Sequence, residues 1–358
     1  MIKRIALALL AVSFLAPAAV LADGMIVPRP ERYAWETEQQ AVIFYENNQE
    51  TLVLSVSFQG NAEDFAWIVP TPSRPEVSKS SDELFTSLQE LTTPLYDYPQ
   101  PLPLMGVSPV GYDEKGVYVL ETKQIDYYQI AVLEANDADA LSQWLKDNGY
   151  EYPESSKYIL DSYIQSGWYF TAIKIVDDYP SANVEYQLNS GHAIPLKLEF
   201  AANKIVYPLK ISAVEHQNNV RSDRYYQNQP LGILLYVITD NKQELPQFAT
   251  QYAGWLKKNS LENLAYDDNG NAWLRPAKDK YFLTKLYRLM TRAEMSSDLY
   301  LRQAGDNTTI NAPESAESKG FTGFIVIMLV GGLMMIGLLV ILLVSGMRKE
   351  KNKLDSNF

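Results

Sequence analysis

The chain has no cysteine and two histidines, His192 and His216, among its 358 residues. Without cysteine there are no disulfides, no thiolate nucleophile, no cysteine-ligated zinc and no lipidated N-terminal cysteine. Exported proteins commonly use disulfides; this one must rely on packing. Two histidines make a zinc site only with carboxylate help, and surface or hydrogen-bonded histidines are the simpler reading. No nucleophile elbow G-x-S-x-G, no H-E-x-x-H and no P-loop occurs. Asp267, Asn269 and Asn271 alternate as in a calcium loop. However, Ala272 stands where glycine is needed, and Lys278 where a bidentate glutamate is needed. No catalytic residue, metal or cofactor is therefore expected. Basic residues are also short: 31 Lys and Arg face 43 Asp and Glu, a formal net charge of −12. Such a surface repels nucleic acid and anionic headgroups. Carboxylate pairs such as Asp177-Asp178 are ordinary in so acidic a chain and mark no acid/base pair.

One long apolar run is present, from Phe321 to Met347, with no charge between Phe324 and Val344. A bilayer core takes about 20 apolar residues as a helix, and a helix satisfies its own backbone in lipid. The run is therefore expected to span a membrane. Gly331, Gly332 and Gly337 lack strict G-x-x-x-G spacing, which favours a plain anchor over a dimerising helix. Arg348, Lys349, Lys351 and Lys353 follow at once and place the tail, 348–358, on the cytoplasmic side. At the other end, residues 1–22 read as a secretory signal. Lys3 and Arg4 open it, Ile5 to Leu15 form its apolar centre, and Val20-Leu21-Ala22 fits cleavage before Asp23. The expected localisation is a cell membrane, crossed once, with residues 23–320 exported. No L-P-x-T-G sorting motif is present.

Between these ends the pattern predicts an α+β fold, mainly antiparallel sheets with packed helices. Leu52 to Phe58 alternates, as does Phe65 to Val69 before Pro70, and the two are expected to form a hairpin. A helix is expected over Ser81 to Leu91, with Leu84, Phe85, Leu88 and Leu91 on one face. Five prolines, Pro94, Pro99, Pro101, Pro103 and Pro109, then interrupt any regular element. Strands are expected at Val117 to Thr122 and Tyr127 to Leu133. A helix follows, capped at Asn136 or Asp137, striped by Leu141, Trp144 and Leu145, and stopped by Gly149. Another helix, Glu154 to Ser166, stops at Gly167 before a strand, Trp168 to Val176. A second hairpin is expected from Leu196–Phe200 and Ile205–Ser212. Then come a buried strand, Leu231 to Thr239, and a helix, Glu244 to Asn259. Asp267-Asp268-Asn269-Gly270 reads as a hairpin turn. A last helix is expected over Lys278 to Met295, and a polar tether over 303–320. Trp144-Leu145-Lys146-Asp147-Asn148 echoes Trp255-Leu256-Lys257-Lys258-Asn259. The exported domain, 23–302, could on that ground be two similar lobes, 23–190 and 191–302.

Four words stand in order along this region: Glu50-Thr51-Leu52-Val53-Leu54, Phe65-Ala66-Trp67-Ile68-Val69-Pro70-Thr71-Pro72, Gly167-Trp168-Tyr169-Phe170 and Val206-Tyr207-Pro208-Leu209-Lys210-Ile211-Ser212. With the start Ala22-Asp23-Gly24, they resemble the bacterial family known as domain of unknown function 2330, over about Asp23 to Leu301. The resemblance implies a bacterial, exported, membrane-anchored protein and carries no activity with it.

The chain has 24 tyrosines. Aromatic rings with polar tips suit sugar or peptide contacts, though in strands they belong to the core. Those in loops, Tyr96, Tyr98, Tyr225 and Tyr226, are the candidate ligand or partner contacts. Asn307-Thr308-Thr309 forms a glycosylation sequon, incidental in a bacterium. The expected function is a non-enzymatic binding or assembly module for an envelope protein or glycan, held at the lipid bilayer. The rival is a carboxylate-dependent hydrolase of cell-wall or extracellular polysaccharide, which needs two acids flanking a cleft.

Overall fold

The computed structural model describes residues 25–28, 34–60, 65–93, 117–150, 152–175, 188, 192–214, 230–264, 266 and 272–311. The chain divides into two units, Met1–Thr92 with Asp97–Asn311, and Thr93–Tyr96 with Ala312–Phe358. The fold below is that of the first. The expected signal, 1–22, the span, 321–347, and the tail lie outside the described residues. Among the described residues no helix is long and apolar enough to cross a membrane.

The strands run β1 (Met25–Pro28), β2 (Ala34–Glu46), β3 (Gln49–Gly60), β4 (Phe65–Thr71), β5 (Glu76–Lys79), β6 (Val117–Ile125), β7 (Tyr128–Ala135), β8 (Tyr169–Ile175), β9 (His192–Ala201), β10 (Val206–Tyr207), β11 (Leu231–Thr239), β12 (Gln243–Glu244), β13 (Ala249–Lys257), β14 (Lys280–Met290), β15 (Leu299–Tyr300) and β16 (Arg302–Gln303). Helices are α1 (Asp82–Thr92), α2 (Ala138–Asp147), α3 (Lys157–Gln165) and α4 (Lys258–Glu262). The result is a sheet-rich α+β fold.

A seven-stranded mixed sheet has the order β13-β14-β11-β2-β3-β9-β5. Inside it, β11 is buried at every position, parallel to β2 and antiparallel to β14. A five-stranded antiparallel sheet has the order β1-β4-β8-β7-β6. Side chains alternate across a strand, and here both faces of the large sheet are covered. Ile43, Leu52, Leu54, Leu196 and Leu198 join one core cluster with Trp67, Val69, Val132 and Ile173 of the smaller sheet. Val42, Val53, Tyr236 and Leu283 face the other way and meet Leu84, Phe85 and Leu88 of α1, with Leu261, Leu264 and Leu274. At roughly 25 cal/mol per Å² of apolar surface removed from water, this double covering is the main stabilising term.

Local signals placed α1, α2 and α3. Asp137 caps α2, its Oδ1 accepting from Ala140 N at 2.8 Å. Gly149 and Gly167 follow α2 and α3 at φ +91° and +70°, a region where glycine has no Cβ penalty. The α1 stripe buries Leu84, Phe85 and Leu88, while Leu91 faces solvent and Thr92 is buried instead.

Several expectations fail, the hairpins because other strands take the available edges. The two expected hairpins do not form. Asn47 and Asn48, at φ 52° and 59°, make a tight turn that pairs β3 with β2, and β9 takes its other edge. No edge is left for β4, which joins β1 and β8 in the smaller sheet. Likewise β9 is flanked by β3 and β5, so Val206–Tyr207 pairs with Leu299–Tyr300. The expected helices over Glu244–Asn259 and Lys278–Met295 are instead β12 and β13 with the short α4, and β14 with a 3-10 turn at Arg292–Glu294. Tyr281 to Leu286 is buried without interruption. A short buried run carries no usable period, so helix and strand look alike in it.

The large sheet also draws β2, β3 and β5 from before residue 190 and β9, β11, β13 and β14 from after it. Trp144 stands on a helix and Trp255 on a strand. The expected pair of similar lobes is therefore not how these strands are arranged. The first part of the expected tether, 303–311, is bonded to the domain, and 312–320 lie outside the described residues. Ala304 N donates to Lys242 O, and Ile310 pairs with Ala253 through two 2.8 Å bonds. Asn307 of the sequon accepts from Lys242 N at 2.8 Å and donates to Asn241 Oδ1 at 2.9 Å. The expected turn at 267–270 lies outside the described residues, and a bridge between Tyr266 and Ala272 flanks it.

Candidate functional site

Three polar groups with disturbed proton affinities, Glu50, Tyr163 and Asp298, meet on one stretch, Ile205 to Val214. β10 begins it, and a 3-10 turn at Lys210–Ala213 carries it onward. It is too short to satisfy itself by ladder bonds, so side chains from distant elements take its main-chain groups. Glu50 of β3 accepts from Val206 N with Oε2 at 3.0 Å. Asp298 accepts from Lys210 N with Oδ1 at 2.9 Å. The same Oδ1 accepts from the Tyr163 hydroxyl at 2.5 Å, and that hydroxyl accepts from Ile211 N at 3.2 Å. Lys210 Nζ reaches Ser162 Oγ at 2.8 Å. The Tyr207 hydroxyl donates to Gln39 Oε1 at 3.0 Å, and Gln39 Nε2 donates to Ser212 Oγ at 2.7 Å. Arg292 Nη1 donates to Ser212 O at 2.7 Å.

The electrostatics follow from burial. Glu50 has no exposed surface, and burial raises its carboxyl well above the usual range against the lowering effect of the Val206 N–H. Burial also raises Asp298, against the lowering effects of the Tyr163 hydroxyl, the Lys210 N–H and the Lys210 charge. Burial, then the Asp298 charge, pushes Tyr163 up, so its hydroxyl keeps the proton it donates. Tyr163 also meets Trp168 at 5.0 Å with the rings tilted by 45°, and Phe170 edge-on at 6.2 Å. Three of the four words named above thus meet here: Glu50, Trp168 with Phe170, and the Val206–Ser212 stretch itself.

A second buried polar cluster joins the two sheets. The β3–β9 register shifts between Leu54 and Val56, leaving Ile194 in a bulge. Adjacent tyrosines take both of its main-chain groups. Ile194 N donates to the Tyr127 hydroxyl at 2.7 Å, and the Tyr128 hydroxyl donates to Ile194 O at 2.7 Å. The rings lie 4.5 Å apart and both are buried. Burial raises both phenols, so each stays protonated and can donate. Nearby, Lys79 Nζ lies 2.8 Å from Asp126 Oδ2.

These arrangements hold protons and position backbone. Each acid is engaged by the chain's own N–H groups, and Glu50 touches no solvent. Among the described residues no group of three His, Cys, Asp or Glu could hold a metal ion. The backbone of His192 opens β9 opposite Ser57, and His216 lies outside the described residues. The candidate contacts Tyr96, Tyr98, Tyr225 and Tyr226 also lie outside the described residues. Sequence reasoning did not single out Glu50, Asp298, Tyr163 or Gln39. A signal existed for Gln39: with Gln40 it sits directly before the apolar run Ala41-Val42-Ile43. Nothing local marks Asp298.

A family model described as "Uncharacterized protein conserved in bacteria (DUF2330)" matches residues 17–253, and the chain belongs to that family. No curated protein matches the sequence. Among solved structures, the crystal structure of baculovirus P35 aligns over 76% of this chain and 98% of that chain, at 9% identity and a TM-score of 0.33. At that score the likeness carries no argument.

Proposed function

We propose that this family member is an exported, membrane-tethered module that binds or assembles with an envelope protein or glycan and performs no catalysis. The signal-like start, the apolar run 321–347 and the basic tail support the location. The observation that weighs most is the use made of the two acids with raised proton affinity. Glu50 and Asp298 both hold main-chain N–H groups of one crossing stretch. A polysaccharide hydrolase needs its two carboxyls open to a substrate between them. The described groups that offer contact area are the exposed aromatics Tyr118, Tyr158, Trp255, Tyr266 and Tyr300. Trp255 stands on edge strand β13, with Lys280 Nζ 4.2 Å from its ring centroid.

Crosslinking in native membranes, followed by identification of the attached species, tests the reading. The same species should be recovered from independent preparations, and it should be lost when Trp255 and Tyr300 are both changed to serine. Protease added to intact cells should leave a C-terminal tag untouched; degradation of that tag would refute the orientation. Purified protein that degrades wall glycans, and stops doing so when one carboxylate is changed, would refute the non-enzymatic reading.

A further inference from the structure

Glu50 is the buried acid with the fewest partners. Its Oε2 accepts from Val206 N, and its Oε1 has no hydrogen-bond partner among the described residues. Tyr45 lies across from it on β2 and Phe200 across from it on β9. Tyr45 is the titratable group facing it, and the Tyr45 hydroxyl is turned to Ala202 O at 2.9 Å and Asn48 Oδ1 at 3.1 Å. β10 contributes Val206 and its N–H. Burial and that N–H are what act on the carboxyl, with no cation among them. A carboxylate so placed would be a buried, uncompensated charge, a state that proteins avoid by keeping the proton. Asp298 differs, because Tyr163 and Lys210 give its ionised form two donors.

The main chain that Glu50 holds has few other ties to the β2–β3 hairpin, and Gln39 of β2 adds side-chain ties to the Tyr207 hydroxyl and Ser212 Oγ. Ala202 N donates to Asn48 O at 3.0 Å, and Tyr45 reaches Ala202 O. Past those, Ile205 and β10 bond to β15, through Leu301 N to Ile205 O and the Val206–Tyr300 pairing. Glu50 is thus the side chain that holds the β10 main chain to the hairpin, beside the Tyr207 hydroxyl on Gln39 Oε1 of β2.

We propose that Glu50 is a proton-dependent latch: protonated, it holds β10 against the hairpin, and ionised, it leaves the core and lets β10 and β15 come away. This goes beyond the binding reading and stands independently of it. The direction is fixed by linkage. The native carboxyl holds its proton more tightly than the unfolded one. Its stabilisation is complete below the unfolded value and is lost as pH rises through the native value.

Hydrogen exchange on the full-length chain across a pH series tests the latch, with rates corrected for intrinsic base catalysis. Opening over 202–207 should rise about tenfold per pH unit between the unfolded and native ionisations of the carboxyl. Strand β11 should show no such rise. Glu50→Gln should keep the acid-side protection and flatten the profile, while Asp298→Asn should keep the rise. A flat wild-type profile overturns the proposal, as does a rise that survives in Glu50→Gln. Should Glu50→Gln not fold, the wild-type profile still decides: a rise confined to 202–207 supports the latch, and a flat one refutes it.

Discussion

Tyrosines 127 and 128 allow a sharp test of how the bulge at Ile194 is held. Replacing either by phenylalanine keeps the ring and its packing, so little beyond one hydroxyl changes. The two losses are unequal. Tyr127→Phe strips the acceptor from Ile194 N, which has one hydrogen to donate. Tyr128→Phe strips the donor from Ile194 O, and a carbonyl tolerates under-satisfaction better than an N–H does. Leaving a buried polar group unsatisfied costs about 1–3 kcal/mol. Tyr127→Phe should therefore cost about 2 kcal/mol and Tyr128→Phe about 1 kcal/mol on that scale. The hydroxyls are 3.4 Å apart, so the double variant should not be additive. Urea denaturation followed by tyrosine and tryptophan fluorescence measures all three. For a domain this large, about 2 °C of melting temperature per kcal/mol is expected in a parallel thermal scan. The argument is refuted if Tyr127→Phe lies within about 0.5 kcal/mol of the wild type, the scatter of ordinary surface changes, or if Tyr128→Phe proves the costlier of the two.

Gly167→Ala forces a Cβ onto a residue at φ +70° and should destabilise by about 1 kcal/mol, read as a shifted denaturation midpoint. Leu235→Ala removes a fully buried side chain from the interior strand β11 and should cost about 2–5 kcal/mol in the same assay. Glu294 accepts from Thr291 N and Oγ at 2.8 Å, and those bonds hold its carboxyl below the usual range. Its support is present above the unfolded value and lost as pH falls through the lower native one, so Glu294→Gln should remove that part of the acid limb in a pH titration of stability. A chain ended at Gln303 loses the Ile310 pairing on β13 and should exchange the Ala253 amide faster than a chain ended at Asn311, by hydrogen exchange.

What the sequence determined by itself is local. The Asp137 cap, the glycine stops at Gly149 and Gly167, the α1 stripe and the buried character of β11 each depend on a few neighbouring residues. Their geometry holds whatever packs around them. The apolar run at 321–347 is likewise a property of its own residues, as is the shortage of cysteine and histidine that closes off whole classes of chemistry. Tertiary structure decided which strand lies beside which. β3 has two edges, and the Asn47-Asn48 turn and distant β9 fill both, which sends β4 to another sheet. It also decided that Tyr281 to Leu286 is a strand, because β13 and β11 flank it and both faces are covered. Glu50 is the clearest case. In the sequence it is one acid among 43 Asp and Glu. It becomes a proton-holding group only because β10, more than 150 residues away along the chain, folds over it and shuts out water and counter-charge.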